Sequence, residues 1–137
     1  MATVLIWYPQ LKERLRVGHA ALQVGHEYIS WWPDRSSGGW PGVWPAMTHS
    51  SWKEDRIAEG TRPDRQIVIY HLDEKAIVRW WHEQRYYPNW RMFLHNCSTV
   101  VAEALKAGGA GQRCPGWDAA GLLRWHPVLL AFAARKL

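Results

Sequence analysis

The chain has 137 residues, 47% of them apolar, with a formal net charge of +5 and a pI near 9.5. That length suits a single domain, residues 1–137, with a core of its own. The basic residues are scattered, with no run of four and no basic helix face interleaved with aromatics, which argues against a nucleic-acid partner. No apolar stretch approaches the roughly 18 residues that span a bilayer. The N-terminus, MATVLIWYPQ, lacks the basic region of a signal peptide. The expectation is synthesis in the cytoplasm without a cleaved signal, with secretion or injection into a target cell by another route left open.

Residues 3–8, TVLIWY, read as a buried strand closed by Pro9. Residues 18–32 read as a hairpin, with HAALQV and EYISWW flanking a Gly-His turn. Residues 33–63 carry Pro33, Pro41, Pro45, Pro63 and several glycines and show little periodicity, so the expectation is one long loop. Eleven residues are tryptophan, and Trp31, Trp32, Trp40, Trp44 and Trp52 lie in or beside this stretch. Wide aromatic faces there suit a substrate cleft or lid; equally, large loops use Trp to seal a small core of their own. RQIVIYHL, 65–72, is a second strand. Asp73 then caps a helix over 74–86 with Ile77, Trp80, Trp81 and Gln84 on one stripe, ended by Pro88.

A further helix runs from about 97 to 107 and stops at Gly108-Gly109. A Gly/Pro-rich connector reaches Gly116, and the last segment is helical with a break at Pro127. Strands followed by strand and helices give an α+β class, a small antiparallel sheet packed against helices.

The stretch FLHNCSTVVAEALKAGG, 93–109, carries the chemistry. Asn96 is a good N-cap, which places Cys97 at the first helical position, where free N–H groups and the helix dipole favour a thiolate. Cys97, Val100, Val101, Ala104 and Leu105 also form an apolar stripe, so the thiol reads equally as core. A nucleophile needs a base. Of seven histidines, His19 is best placed: it follows Gly18 and starts a strand, sharing a face with Ala21 and Gln23. His71 is its competitor. His26, His49, His82, His95 and His126 sit in turns, in the loop, or beside other features. The backbone N–H groups around Cys97 and Ser98, with Asn96 beside them, are the expected donors to a developing oxyanion. No metal-ligand spacing, phosphate loop or nucleophile elbow occurs, and no cofactor is called for. Cys97 and Cys114 are too few for a disulfide framework.

GHA opening a hairpin and NC opening a helix some eighty residues later resemble the circularly permuted papain-like thiol hydrolases of the wide NlpC/P60 superfamily. HNCSTVVAEAL resembles the helix start of lecithin:retinol acyltransferase-like members. GHAALQVGHEYISWWP with NCSTVVAEALKAGG also resembles small bacterial secreted effectors, among them toxin domains fused to type VI secretion or Rhs-type proteins.

The resemblance covers about a third of the chain. It implies a permuted papain-like fold, Cys97 as nucleophile and His19 as base. The third, orienting residue departs from the acyltransferase pattern, whose second His is replaced here by Ser30, Trp31 and Trp32. Ser30 is a weak orienter; Glu27, Asp34 and His71 are alternatives.

The activity expected is that of a cysteine peptidase, amidase or deamidase acting as a bacterial toxin or effector. The alternatives are an acyltransferase or lipid deacylase at a membrane surface, and a non-catalytic Trp-rich binding module. Expected substrate contacts are Trp31, Trp32, Trp40 and Trp44. Expected partners are a protein, peptide or peptidoglycan substrate, with an immunity protein, a secretion carrier or a membrane surface beside it.

Overall fold

A computed structural model describes residues 1–12, 16–117 and 126–137. Its centre is a six-stranded antiparallel sheet in the order β5-β1-β2-β3-β4-β6. The strands are β1 (Ala2–Trp7), β2 (His19–Val24), β3 (Glu27–Pro33), β4 (Val43–Thr48), β5 (Arg65–Ile69) and β6 (Asn89–Arg91). The hairpin turns at Gly25-His26, with Val24 opposite Glu27 and Ala21 opposite Ser30. β1 pairs alongside so that Trp7 lies opposite His19. The helices are α1 (Trp52–Glu59), α2 (Glu74–Gln84), α3 (Cys97–Ala107), α4 (Ala110–Arg113) and α5 (Pro127–Ala134).

Strand alternation sorts the sheet into two faces. Val4, Ile6, Ala20, Leu22, Ile29 and Trp31 join α3, α2 and α5 in the main core, with Val100, Val101, Leu105, Ile77 and Leu130. The opposite face carries Leu5, Trp7, Ala21 and Tyr28 as a smaller apolar cluster. The α+β class and the antiparallel sheet packed against helices are as expected from the sequence.

The expectation of one structureless loop over 33–63 is corrected. β3 continues to Pro33, a short 3₁₀ turn covers Arg35–Ser37, β4 runs from Val43 to Thr48, and α1 from Trp52 to Glu59. β4 was hidden by its proline: Pro45 lies opposite Asn89 and uses its carbonyl to accept from the Asp34 N–H at 2.7 Å. α1 was hidden by its polarity, since only Asp55 and Glu59 of its eight residues are buried. Its local signal is a capping box, in which Ser51 accepts from the Glu54 N–H and the Glu54 carboxylate accepts from the Ser51 N–H.

The connector after α3 likewise holds a short helix, α4. The break expected at Pro127 is a helix start, with Pro127 at the first turn of α5, where a missing N–H is tolerated. The part of the expected C-terminal helix over 118–125 lies outside the described residues.

Candidate active site

α3 packs on β2 and β3, and its N-terminus ends beside the first residue of β2. Asn96 caps it, its side-chain oxygen accepting from the Thr99 N–H at 3.0 Å while its amide donates to the Met92 carbonyl at 2.9 Å. Cys97 is therefore held by both the stripe beneath it and the cap before it. It is 7% exposed and free of any disulfide.

His19 enters β2 directly after Gly18, whose φ of 92° suits glycine. A Cβ there would meet the Trp7 carbonyl at 3.0 Å and Pro9 Cδ at 3.1 Å, so any side chain would push β2 off its neighbours. His19 is 2% exposed and lies between two indoles, 4.2 Å from the Trp32 ring and 5.5 Å from the Trp7 ring.

The residue that orients His19 is Asp55 of α1, with His19 Nε2 at 3.2 Å from Asp55 Oδ2. Asp55 is fully buried. Its Oδ2 also accepts from Tyr28 OH at 2.5 Å and Ser30 Oγ at 2.8 Å. Its Oδ1 accepts from Trp32 Nε1 and His49 Nδ1, both at 2.7 Å. A carboxylate so surrounded stays ionised even when buried.

Ser30, expected as a weak orienter, lies 3.1 Å from His19 Nε2 but gives its proton to Asp55. It is a bridge between the two. The alternatives sit elsewhere. Glu27 pairs with His82 at 2.8 Å, Asp34 caps the 3₁₀ turn, and His71 lies past β5 with its carbonyl accepting from Arg113.

With Nε2 held by Asp55, Nδ1 is left for the Cys97 thiol. Burial opposes charge on both groups, yet each gains more from its partner. Burial pulls His19 down, but the Cys97 charge and the Asp55 hydrogen bond raise it from 6.5 to about 10. Burial pushes the Cys97 thiol up, but the His19 charge, the Ala20 backbone N–H and Ser98 bring it below the ordinary thiol range. Burial also pushes Asp55 up, and its bonds to His19 and His49 hold it far below the usual carboxylate range. Both shifts run in the direction that favours charge on the pair, a thiolate beside an imidazolium.

Among the described residues, two cavities open on Cys97. A cleft of about 440 Å³ is walled by Arg16, His19, Trp32, Arg35 and Glu59. A pocket of about 270 Å³ that shares Val17, Arg35 and Trp90 with the cleft is mainly apolar, with Met92, Phe93 and Pro127 also in its wall. A larger open groove of about 660 Å³ lies between the hairpin turn and α2, without Cys97 or His19 in its wall, and has no part in this chemistry.

Trp32 forms the wall against His19, and Trp31 is a buried floor residue set edge-on to Trp81. Trp40 and Trp44, expected at the substrate, line neither of the cavities that Cys97 opens on. Trp40 is 82% exposed, and Trp44 packs on Trp90 beneath the Arg35 guanidinium. Trp90, which lines both cavities, lies on β6, a strand of three residues too short to show a period in the sequence. The Asn96 side chain is committed to capping, and Ser98 is fully buried 4.0 Å from the thiol. The oxyanion donors on offer are therefore the backbone N–H groups of Cys97 and Ser98 at the start of α3, since the Thr99 N–H is held by the Asn96 cap.

Residues 44–137, more than half of the chain, match the family model of the IcsB middle domain. The chain belongs to the IcsB middle domain family. The matched span contains Asp55 and Cys97, and His19 precedes it. Neither the curated proteins nor the solved structures give a match to this chain.

Proposed function

We propose that this IcsB middle domain protein is a cysteine-dependent enzyme that takes an acyl group onto Cys97 and releases it to water. The observation that carries this reading is the buried Cys97–His19–Asp55 line, with Cys97 and His19 both in the wall of one cleft. A purely structural core cysteine would need neither a buried imidazole beside it nor a cleft at its thiol.

The Cys97 thiolate attacks a carbonyl carbon, and the C=O π pair moves onto oxygen. That oxyanion lies before the first-turn N–H groups of α3. His19 Nδ1–H gives its proton to the leaving nitrogen or oxygen, the C–N or C–O bond breaks, and an acyl-Cys97 thioester remains. His19, now neutral, takes a proton from water as that water attacks the thioester. Thiolate leaves, the acid departs, and the ion pair is restored. Asp55 holds the ring in one tautomer and stabilises its positive form throughout.

Amide hydrolysis, as a peptidase, amidase or deamidase in a bacterial effector, is the first form of this reading. The permuted papain-like relationship belongs with it, and rests on the order of His strand and Cys helix. A second form, acyl transfer to an amine or deacylation of a lipid, is favoured by one observation: the apolar pocket of about 270 Å³ beside the thiol suits an aliphatic acyl chain.

The test is to incubate the Cys114→Ser protein with activated amides, esters and thioesters and weigh the intact chain. An acyl adduct on Cys97 that is absent in Cys97→Ala, and that discharges to water, supports hydrolysis. Discharge faster to an added amine supports transfer. No adduct with any acyl donor contradicts both.

A further inference from the structure

Asp55 has five donors around two oxygens, and the bond that matters to the chemistry is the longest of them. His19 Nε2 stands 3.2 Å from Oδ2, whereas Tyr28, Ser30, Trp32 and His49 stand between 2.5 and 2.8 Å. The position of the carboxylate is thus set by the other four, and His19 meets it where they leave it. Three of those four, Tyr28, Ser30 and Trp32, come from one strand, β3.

The fourth, His49, follows β4 and approaches Oδ1 from beside α1. Its backbone N–H donates to the Ser30 carbonyl at 3.3 Å, which ties it to β3. Its ring lies 5.0 Å from Trp32, so that Trp32 is held between two imidazoles, His19 on one side and His49 on the other. Because a carboxylate only accepts, Nδ1 of His49 carries the proton of this bond.

We propose that His49 is a positioning residue for the reaction, acting through its Nδ1–H on Asp55 so that Oδ2 stays aimed at His19. This rests on the cysteine-enzyme reading above. His49 touches neither cavity of Cys97. It borders a separate groove of about 190 Å³ together with Tyr28, Glu27 and Arg85. The charged groups around it are Asp55 and Glu54 on α1 and those two groove neighbours, Glu27 and Arg85. Without the Nδ1 donor, Oδ1 keeps Trp32 and Ser30, the carboxylate can turn about its Cβ–Cγ bond, and the 3.2 Å contact with His19 is the first to lengthen.

Two substitutions separate the donor from the ring. His49→Phe keeps an aromatic face on Trp32 and removes the N–H. His49→Asn removes the ring and keeps an N–H at the position of Nδ1. In the Cys114→Ser background, the pH dependence of Cys97 alkylation by iodoacetamide reads the thiolate directly, and circular dichroism checks that each variant is folded.

The expected result is a fall of about ten-fold or more in alkylation rate at neutral pH for His49→Phe, the scale of one lost hydrogen bond to a charged group. Its thiol inflection moves up, and His49→Asn stays within about two-fold of the wild type. The reverse order of the two variants assigns His49 a stacking role and overturns the proposal, as does wild-type behaviour in both. An ordinary thiol inflection in the wild type itself would instead overturn the reading on which this rests.

Discussion

The two helices that flank the sheet are built from opposite materials. On one face α3 buries Val100, Val101, Ala102, Ala104 and Leu105, and its apolar stripe fixes where Cys97 comes to rest. On the other, α1 buries only Asp55 and Glu59, and it is fixed by hydrogen bonds from Tyr28, Ser30, Trp32, His19 and His49 to a single carboxylate. His19 stands at the end of the strand between them and meets Cys97 from the apolar side and Asp55 from the polar side. Packing is tolerant of small changes in shape, whereas a buried polar cage is costly when half satisfied. The two sides should therefore fail differently.

The largest effect expected is from the nucleophile. Cys97→Ala should lower the rate of acyl release on the order of 10⁴-fold or more, measured by steady-state kinetics. Next comes Asp55→Asn, which keeps the size of the side chain and removes its charge. It should cost about 10²–10⁴-fold in rate, and return Cys97 alkylation toward that of an ordinary thiol. Asp55→Ala goes further and leaves several buried donors unpaired. It should destabilise the fold by about 3–5 kcal/mol, read from urea unfolding.

The pH profile tests the join between the two sides. Cys97 lies below the ordinary thiol range and His19 is raised to about 10. On the proposed mechanism the active form is the one with Cys97 deprotonated and His19 protonated. Activity should rise as Cys97 loses its proton and fall as His19 loses its own near pH 10. His19 also adds stability, fully present below about 6.5 and lost as pH rises through its folded value. Asp55, with its pKa lowered, adds stability that is present above the ordinary carboxylate range and lost as pH falls through its folded value. Asp55→Asn should flatten the acid side of the stability curve.

The apolar side should break without touching the thiol. Leu105→Ala removes a fully buried side chain and should cost about 2–5 kcal/mol of stability. The pH dependence of alkylation should stay in place while the protein is folded. The smallest effect is expected at Trp40, which is 82% exposed and outside both site cavities. Trp40→Ala should change rate and stability by less than about two-fold and 0.5 kcal/mol.

The same contrast explains what was legible in the sequence. α3, α2 and the β2–β3 hairpin announce themselves because burying one face imposes a period, and Cys97 and His19 sit at the ends of those periodic elements. Asp55 sits on a helix with no apolar period, inside a stretch punctuated by Pro41, Gly42 and Pro45, so hydrophobic patterning passes over it. The signal that was present is short-range: Ser51 followed three residues later by Glu54, a capping box that marks a helix start just before Asp55. His49 and Tyr28 carry no sequence signal of this kind, because what selects them is distance to a carboxylate supplied by another element. Trp40 and Trp44 drew notice as tryptophans in a loop, but Trp44 lies on β4 against Trp90, and it is Trp90 that reaches the cavities.

The most direct measurement is the absorbance titration of the Cys97 thiolate in the Cys114→Ser protein, with and without His19→Ala. The thiolate–imidazolium pair predicts an inflection well below the ordinary thiol value of 9.0 in the parent. It predicts a return to that value or above when His19 is removed, because burial alone pushes the thiol up. A parent inflection at or above the ordinary value, unmoved by His19→Ala, would contradict the account.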